Sequence, residues 1–434
     1  MVQCRALLWQ LCLLSIPLAS ALTVPQKVLS PDVSQLSEEE LLFNATDTGL
    51  YATSSSDDRS CDNWDPVSWD YDVAIVGGGP AGLAASMSLG RVARTSLMYD
   101  SNEYRNAKTR YMHDVLGQDG MVPLKFRAAV RSEIDQHYSD YSYRTTLGKK
   151  VTAIQPLTKG FRVFDDKGGK ILVKKVILAT GITDVVPNKP GFSEAFGRGL
   201  FWCPWCDGYD YRGRAMVVYG KPGKLSSAIG SAISLRKLTT NIQIITGGKI
   251  TDEDKKAAEE KWPGWEKVIK TTYGIKVHEV DITKLERTAK GNEPSDDEYK
   301  LTLSGAPTTL VANGILYSTD TKQTSSLHKQ LHLDMDGSSV KVSSNNMMTS
   351  VGGIYAVGDA NNDGSTNAYH AMWSAKRAVV NAHVALNKEE YLEQVPAVMV
   401  AAEGGDEEFY QRQIDELQWV MSNDIEDLYK TLGA

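Results

Sequence analysis

Short apolar runs, each followed by a glycine-rich turn and a helical stretch, recur along the middle of the chain. The run at residues 72–76 precedes a turn at 77–82 and a helical pattern that continues to about residue 92. A second run at 96–99 ends on an acidic residue, and residues 215–219 begin another strand, turn and helix. Repetition of this order predicts βαβ units built on parallel sheets.

The N-terminal residues do not follow this pattern. Arg5 precedes an apolar run at residues 6–18 and small residues at 19–21. This order is typical of a secretory signal peptide over residues 1–21, and the alternative, an N-terminal membrane anchor, would need a longer run. We therefore expect a secreted or secretory-pathway protein with no membrane span after signal cleavage.

Two further regions flank the predicted globular body. Residues 22–68 are rich in Ser, Thr, Asp and Glu, have no sustained period and predict a flexible lead-in. Asn44 begins an Asn-Ala-Thr sequon, which is usable only if the chain enters the secretory pathway. Residues 388–434 predict a helical extension whose apolar face packs on the body, with a dimer contact as the alternative.

Length and charge narrow the classes of function. The 434 residues suffice for two domains with separate cores. The net charge of −7 argues against nucleic acid as a partner, because a phosphate-binding surface should be basic.

The most informative short motif is a pair of cysteines. Cys203 and Cys206 are separated by two residues and followed by Asp207 and a glycine. One sulfur of such a pair can exchange with a disulfide while the other resolves the product. Half a zinc site has the same spacing, but the chain has no second ligand pair, so we predict redox chemistry and no metal site. Signal cleavage would leave Cys61 as the one other cysteine, to which we assign no role.

The first glycine-rich turn fits the dinucleotide-binding fingerprint GxGxxG. Gly77 permits the tight turn, Gly79 lets the backbone approach a pyrophosphate and Gly82 lets helix and strand pack closely. The helix N-terminus then faces the phosphates, and Asp100 stands at the spacing of a ribose-binding acid. A later apolar strand ends in a second sharp turn that can pass close to a ligand. The candidate binding residues of these segments are Gly77, Gly78, Gly79, Pro80, Ala81, Gly82, Asp100, Ala179, Thr180 and Gly181.

The second strand–turn–helix carries a damaged fingerprint. Gly220 fits its first position, but Pro222 and Leu225 occupy the second and third, and no arginine pair for a 2′-phosphate follows Ile245. We expect the fold of a second dinucleotide domain without its phosphate chemistry.

In this order, the motifs resemble those of the low-molecular-weight thioredoxin reductase family over residues 71–384. The resemblance implies bound FAD and a Cys203–Cys206 disulfide that faces the flavin. It implies that Asp359 approaches the ribityl chain and the pyrophosphate, with Gly358 and Ala360 beside it. A homodimer is also implied.

The same resemblance implies an α/β fold of two Rossmann-like three-layer (ββα) domains. The FAD domain is then discontinuous, with its first part at residues 69–188 and its second part at 318–387. An inserted NAD(P)-like domain at 189–317 carries the cysteine pair.

Within that family the segments around Arg105-Asn106, His113 and His370 resemble the fungal gliotoxin-type dithiol oxidases. Such enzymes close a disulfide in a small secondary metabolite and return the electrons to oxygen. The damaged second fingerprint and the signal peptide agree with that branch, since the secretory lumen is a poor source of NADPH. The alternatives are an NADPH-dependent disulfide reductase, a secretory-pathway protein thiol oxidase and a non-catalytic flavin-binding protein.

The resemblance also assigns roles. It implies that the substrate thiolate attacks Cys203 and that Cys206 faces the flavin. His370 is our first candidate for the base and His113 the second, while Asp207 could instead hold the proton. Trp202 and Trp205, which flank the cysteines, are interpreted either as a wall for the substrate or as packing residues.

Overall fold

The computed structural model describes residues 68–144, 148–289 and 291–401, with side chains up to residue 394. The predicted signal peptide, the lead-in with Asn44 and Cys61, and the extension beyond residue 401 lie outside the described residues. Of the helices in the described part, none is long and apolar enough to cross a membrane.

Strands and helices alternate along the described chain. The strands are β1 (Tyr71–Val76), β2 (Ser96–Tyr99), β3 (Ser142–Arg144), β4 (Val151–Pro156), β5 (Phe161–Asp165), β6 (Lys170–Leu178), β7 (Ile182–Val185), β8 (Leu200–Phe201), β9 (Met216–Tyr219), β10 (Ile242–Ile245), β11 (Lys276–His278), β12 (Ile282–Arg287), β13 (Tyr299–Leu303), β14 (Thr309–Ala312), β15 (Gly314–Tyr317), β16 (Asp320–Gln323), β17 (Met335–Asp336), β18 (Ser339–Val340) and β19 (Ile354–Ala356). The helices are α1 (Pro80–Gly90), α2 (Pro123–Tyr138), α3 (Phe192–Ala195), α4 (Leu225–Leu235), α5 (Asp252–Lys261), α6 (Trp265–Lys267), α7 (Leu327–Gln330) and α8 (Ala368–Ala401), with 3-10 turns at Gly208–Tyr211, Pro294–Asp296 and Gly358–Ala360 and a π-helical turn at Val268–Thr272.

The first sheet joins both parts of the predicted FAD domain. Its strand order is β3-β2-β1-β6-β5-β4, and β19, from the second part, pairs with β6. The strands β3, β2, β1, β6 and β19 pair in parallel, whereas β4, β5 and β6 form an antiparallel meander. The buried apolar side of β1 faces α1 and α8. The carboxyl ends of β1, β6 and β19 therefore meet at one edge, where a ligand site is expected.

The second sheet lies in the inserted segment. Its parallel order is β11-β10-β9-β15-β8. One side packs against α4 and α5, and the other against the antiparallel sheet β12-β13-β14. Both sheets thus carry helices on one side and antiparallel strands on the other, which is the predicted ββα layering.

Two antiparallel strands connect the two sheets. The chain leaves the first sheet through β7 and returns through β16, and these strands pair from Ile182 to Val185. The predicted boundaries at 188/189 and 317/318 fall just after β7 and just before β16.

Small residues set the spacing of the two helices on the first sheet. α8 buries Ala371, Ala375, Ala378 and Ala382, which recur every three or four positions and so form one stripe. α1 faces this stripe with its own small residues. α8 runs without interruption from residue 368 to 401, so residues 388–401 continue the helix rather than start a new one.

A cluster of charged side chains anchors α8 to the edge of the first sheet. Glu390 accepts hydrogen bonds from Arg94 and Lys174, and both cations also approach Asp72 within 3.6 Å. The hydrogen bond from Arg94 lowers the pKa of Glu390 to about 2. A lowered folded-state pKa means that this carboxylate stabilises the fold above its ordinary pKa and loses that effect as the pH falls toward 2.

We expect Glu390→Gln to lower the free energy of unfolding at pH 7, by an amount that shrinks as the pH falls below 4.5. Urea unfolding at several pH values measures this difference. Glu393→Gln is the control, because Glu393 lies on the same helix as Glu390 and forms an exposed ion pair with Lys159. Such exposed pairs contribute little to stability. A constant difference between the wild type and Glu390→Gln across this pH range would contradict the assignment.

Candidate active site

One cavity of about 490 Å³ joins the carboxyl edge of the first sheet to the cysteine pair. Its lining brings together predicted residues from five separate segments. These are Gly77, Gly78, Gly79, Pro80, Ala81, Arg105, Asn106, His113, Ala179, Thr180, Gly181, Cys203, Cys206, Asp207, Gly358 and Asp359. Four other predicted residues are not part of this lining, namely Gly82, Asp100, Ala360 and His370.

The glycine turn is shaped by two close approaches. A Cβ on Gly77, where φ is +121°, would lie 2.2 Å from the Ala179 carbonyl oxygen, and one on Gly82 would lie 1.8 Å from that of Gly77. A Cβ on Gly79 would meet no atom within 4 Å. Gly79 also caps α1 without a side-chain hydrogen bond, and the first turn of α1 has no acidic residue. The cavity therefore borders an uncapped helix N-terminus, which is suited to a phosphate.

The opposite wall is the turn at Gly358–Ala360, where φ of Gly358 is +64°. The amide of Gly358 donates to Ser374 Oγ at 2.8 Å, and a Cβ on Gly358 would lie 3.1 Å from that of Ala81 and 3.4 Å from that of Ala371. Since these three neighbours belong to α1 and α8, the two helices determine where this turn sits.

Arg105 connects this turn to two other segments. Its guanidinium donates to both carboxylate oxygens of Asp184 at 2.7 and 2.9 Å and to Asp359 at 2.8 Å. It also lies 5.0 Å from the ring centre of Trp202, which stacks on Phe196. Burial raises the pKa of Asp359, and Arg105 opposes that rise. Arg105 was predicted to bind the cofactor, but Asp184 was not predicted; its position three residues after the Ala179-Thr180-Gly181 turn was the available signal.

Asp100 lies behind the glycine turn and is held by two side chains. It is buried, and its carboxylate accepts from Arg131 at 2.6 Å and from the Tyr104 hydroxyl at 2.8 and 2.9 Å. A Cβ on Gly78 would lie 2.0 Å from its Oδ2. Asp100 therefore supports the glycine turn from behind, and the ribose contact stays a prediction.

Cys203 and Cys206 form a disulfide between β8 and the turn at Gly208–Tyr211. The Cys206 amide donates to Cys203 Sγ at 3.1 Å, a contact that stabilises a thiolate on Cys203 after reduction. Both flanking tryptophans line the cavity; Trp202 is also packed against Phe196, whereas Trp205 is 76% exposed.

Asp207 is a buried acid beside the disulfide. Burial and, second to it, the charge of Asp210 raise its pKa to about 7, although His113 and Arg110 act in the opposite direction. His113 Nε2 lies 3.3 Å from Asp210. Asp210 and Arg110 were missed by the sequence reasoning because neither belongs to a recognised motif.

The two candidate histidines have different surroundings. His113 Nδ1 lies 3.6 Å from Asp119, an exposed side chain, so this imidazole stands between the cavity and solvent. His370 Nε2 lies 2.6 Å from Asp363; its own side chain is not part of the lining, but Asn367, whose side-chain oxygen accepts from the His370 amide, and the neighbouring Ala368 and Ala371 are. Both histidines therefore adjoin the cavity, and the choice of base between them stays a prediction.

The second dinucleotide turn is closed by its own residues. The Pro222 ring approaches within 3.1 Å of the Cβ position of Gly247, and Leu225 is 3% exposed. Lys221 is paired with Asp320 at 2.7 Å. Neither the cavity at the cysteine pair nor the smaller one between Glu259 and Thr271 borders this turn. Within the same described ranges, no group of three or more His, Cys, Asp or Glu is placed to hold a metal ion.

Comparison with known proteins gives the family. The model of the pyridine nucleotide-disulphide oxidoreductase family matches residues 71–375. The chain belongs to this family. A probable thioredoxin reductase of Arthroderma benhamiae is 35% identical over 381 residues, covering 84% of this chain and 90% of the relative. Thioredoxin reductase sirT of Leptosphaeria maculans is 37% identical over 144 residues, covering 33% of this chain and 43% of the relative.

Solved structures show the same fold. A putative thioredoxin reductase TrxB from Bacillus anthracis has a TM-score of 0.62 at 22% identity, covering 74% of this chain and 99% of that one. The thioredoxin reductase of Streptococcus pyogenes MGAS5005 has a TM-score of 0.61 at 18% identity, covering 73% of this chain and 98% of that one. The predicted fold class and the resemblance to thioredoxin reductase-like flavoproteins are confirmed.

This family member is an oxidoreductase, and its cofactor is FAD. The residues present fit that cofactor, because the uncapped start of α1 and the open side of Gly79 face the cavity that also holds the disulfide. The glycine turn and Thr180-Gly181 would hold its phosphates and linker, next to Gly358 and Asp359. FAD supplies a two-electron acceptor within reach of the cysteine pair.

We expect Gly79→Ala and Gly82→Ala to fail in different ways. The methyl group of Gly82→Ala would overlap the Gly77 carbonyl, and such overpacking costs about 1–3 kcal/mol of stability. Gly79→Ala has room in the protein and should keep its unfolding midpoint but lose FAD affinity, since the methyl group would hinder approach of the pyrophosphate. Thermal unfolding and flavin content of the purified variants measure the two effects. Equal loss of stability in both variants would contradict this division.

We expect the stability of the wild type, relative to Asp207→Asn, to fall as the pH rises from about 4 to about 7. The folded-state pKa of Asp207 is about 7 against an ordinary 3.8, so its protonated form stabilises the fold at low pH and that effect disappears above the folded pKa. Urea unfolding of both proteins across this range measures the change. Asp210→Asn is the matched control. Because the charge of Asp210 raises the pKa of Asp207, this variant should show the same loss of stability over a lower pH range. Parallel curves for wild type and Asp207→Asn would disprove the raised pKa.

Proposed function

We propose that the protein is an FAD-dependent dithiol oxidase, which closes a disulfide in a small dithiol and passes the electrons to oxygen. The observation that carries this proposal is the contrast between the two dinucleotide folds. The first opens onto a cavity shared with Cys203 and Cys206, and the second has a closed turn at Pro222. An oxidase needs the first site alone, whereas a reductase also needs the second.

The closed turn argues against NADPH through its backbone geometry. A pyrophosphate has to approach the backbone at the second glycine of the fingerprint. Here that position is Pro222, which has no amide hydrogen to donate and whose ring rests against Gly247 and Gly248. The expected passage through the secretory pathway supports the same conclusion and stays a prediction.

The protein side chains suggest how the dithiol is oxidised. Asp207, with a pKa near 7, is partly ionised at neutral pH and accepts a proton from a substrate thiol. The resulting thiolate attacks Cys203 Sγ, the Cys203–Cys206 bond breaks, and Cys206 leaves as a thiolate that takes up a proton. His113 exchanges protons with this acid and with solvent.

The second half of the reaction forms the disulfide bond of the substrate. Its other thiol, once deprotonated, attacks its own sulfur in the mixed disulfide, so that Cys203 leaves as a thiolate stabilised by the Cys206 amide. The substrate has then lost two electrons and two protons, and the cysteine pair has gained them. Bound FAD would supply the two-electron acceptor through which the cysteine pair returns to the disulfide, with oxygen as the final acceptor and hydrogen peroxide as its product. The exposed Trp205 offers the substrate an apolar surface beside the sulfurs.

The second candidate function is an NADPH-dependent disulfide reductase. The relatives named thioredoxin reductase and the family match favour it. It would need the turn at Gly220–Leu225 to open. A homodimeric assembly, implied by the resemblance, is part of either proposal.

We expect the full-length flavoprotein to form one hydrogen peroxide per small dithiol oxidised, without NADPH. Peroxide formation is measured with dithiothreitol and with a reduced protein as alternative substrates. Cys203→Ser and Cys206→Ser should reduce the rate by about 10³-fold or more, while Cys61→Ser should leave it unchanged. Faster turnover on the reduced protein would favour a protein thiol oxidase.

Anaerobic mixing with NADPH separates the two candidates. The oxidase proposal requires that the flavin stay oxidised when NADPH is added and be reduced when the dithiol is added. Rapid reduction by NADPH, together with no oxygen uptake on the dithiol, would overturn the proposal in favour of the reductase.

A further inference from the structure

Two buried arginines of α2 lie directly behind the glycine turn. Arg127 and Arg131 are one helical turn apart and are 4% and 5% exposed. Arg131 donates to Asp100 at 2.6 Å, and Asp100 in turn packs against Gly78. The front of the same turn lines the cavity. The charges of the two arginines therefore act on a group bound at the front of the turn, because the buried surroundings screen them poorly.

These two cations have unequal partners. Arg131 is paired with Asp100, but within the described ranges Arg127 forms no ion pair with a carboxylate. It donates to the side-chain oxygen of Asn106 at 3.2 Å, its guanidinium carbon lies 3.7 Å from the ring centre of Tyr104, and its Nε has no hydrogen-bond partner among the described atoms. Burial lowers the pKa of Arg127, and the charge of Arg131 acts in the same direction.

A buried cation without a counter-ion is costly, so the excess charge calls for an anion. Arg127 does not itself line the cavity, and the Arg and Lys side chains that do line it cannot supply this charge as freely, because each is paired with a carboxylate. Arg105 binds Asp184 and Asp359, Lys149 lies 3.6 Å from Asp165, and Lys150 lies 3.1 Å from Glu103.

Asn106 provides the path from Arg127 to the cavity. It lines the cavity, and its side-chain oxygen is taken by Arg127. The amide therefore has its NH₂ group left for the cavity, and in the described structure that group donates to no protein acceptor. Arg127 thus fixes Asn106 as a hydrogen-bond donor, which suits a phosphate oxygen.

We propose that Arg127 is a positioning residue for the pyrophosphate of FAD. It supplies the balancing positive charge from behind the turn and orients Asn106 as a donor in front of it. The N-terminus of α1 contributes only about half an elementary charge, and a pyrophosphate carries about two negative charges.

The test measures binding rather than turnover. Equilibrium release of FAD from the full-length holoprotein is followed by flavin fluorescence on dilution. Arg127→Met should weaken FAD binding by about tenfold or more, and Arg127→Lys, which keeps the charge, should recover part of that loss. ADP and adenosine are then used to compete with FAD. ADP, which contains the pyrophosphate, should lose affinity by a similar factor, whereas adenosine should not change.

Arg144→Met is the matched control, because Arg144 is paired with Asp135 and does not line the cavity; it should leave FAD release unchanged. Equal losses for ADP and adenosine in Arg127→Met would show that Arg127 only packs against Tyr104 and would overturn the proposal, as would no loss for either. If Arg127→Met fails to fold, Arg127→Gln decides by the same ratio of ADP to adenosine affinity: a lowered ratio supports the proposal and an unchanged one overturns it.

Discussion

The bridge that Arg105 makes between Asp184 and Asp359 is the constraint on which the arrangement of the site depends. Asp184 lies in β7, where the chain leaves the first sheet, and Asp359 lies in the turn after β19, which completes that sheet. The same guanidinium covers the face of Trp202, the residue before the first cysteine. A single buried cation therefore holds the cofactor turn, the exit strand and the start of the disulfide segment together. Because the two carboxylates share its charge, losing Arg105 would leave both buried and unpaired, which is the costly way to break such a network.

The local motifs of this protein were predictable because each consists of residues that are close together in the sequence. The turn at 77–82 requires glycine at positions where a Cβ would overlap a carbonyl, and that requirement is visible in the sequence. The cysteine pair and the strand–turn–helix order are equally local. For the same reason, the fold class followed from the sequence, whereas the identity of the residues behind the turn did not.

What escaped prediction depends on contacts between distant segments. Arg105 and Asp184 are 79 positions apart, and nothing in either segment identifies the other. Asp100 has the spacing of a ribose ligand, yet Arg131 on α2 binds its carboxylate. The strand β12 has no continuous apolar run that would predict it, because its outward positions are polar and only Ile282 and Leu285 are buried. Asp363, which lies 2.6 Å from His370 Nε2, is likewise a neighbour that no motif indicates.

The packing of α8 has a consequence for how this sequence can vary. Ala371 packs against the turn at Gly358, and Ser374 accepts a hydrogen bond from the Gly358 amide. The beginning of α8 therefore determines the position of one wall of the cavity. A larger side chain in the alanine stripe would displace that wall, although Ala375, Ala378 and Ala382 do not line the cavity. Evolutionary drift along the buried side of this helix is therefore restricted by the shape of the flavin, while the opposite, solvent-facing side remains free to diverge.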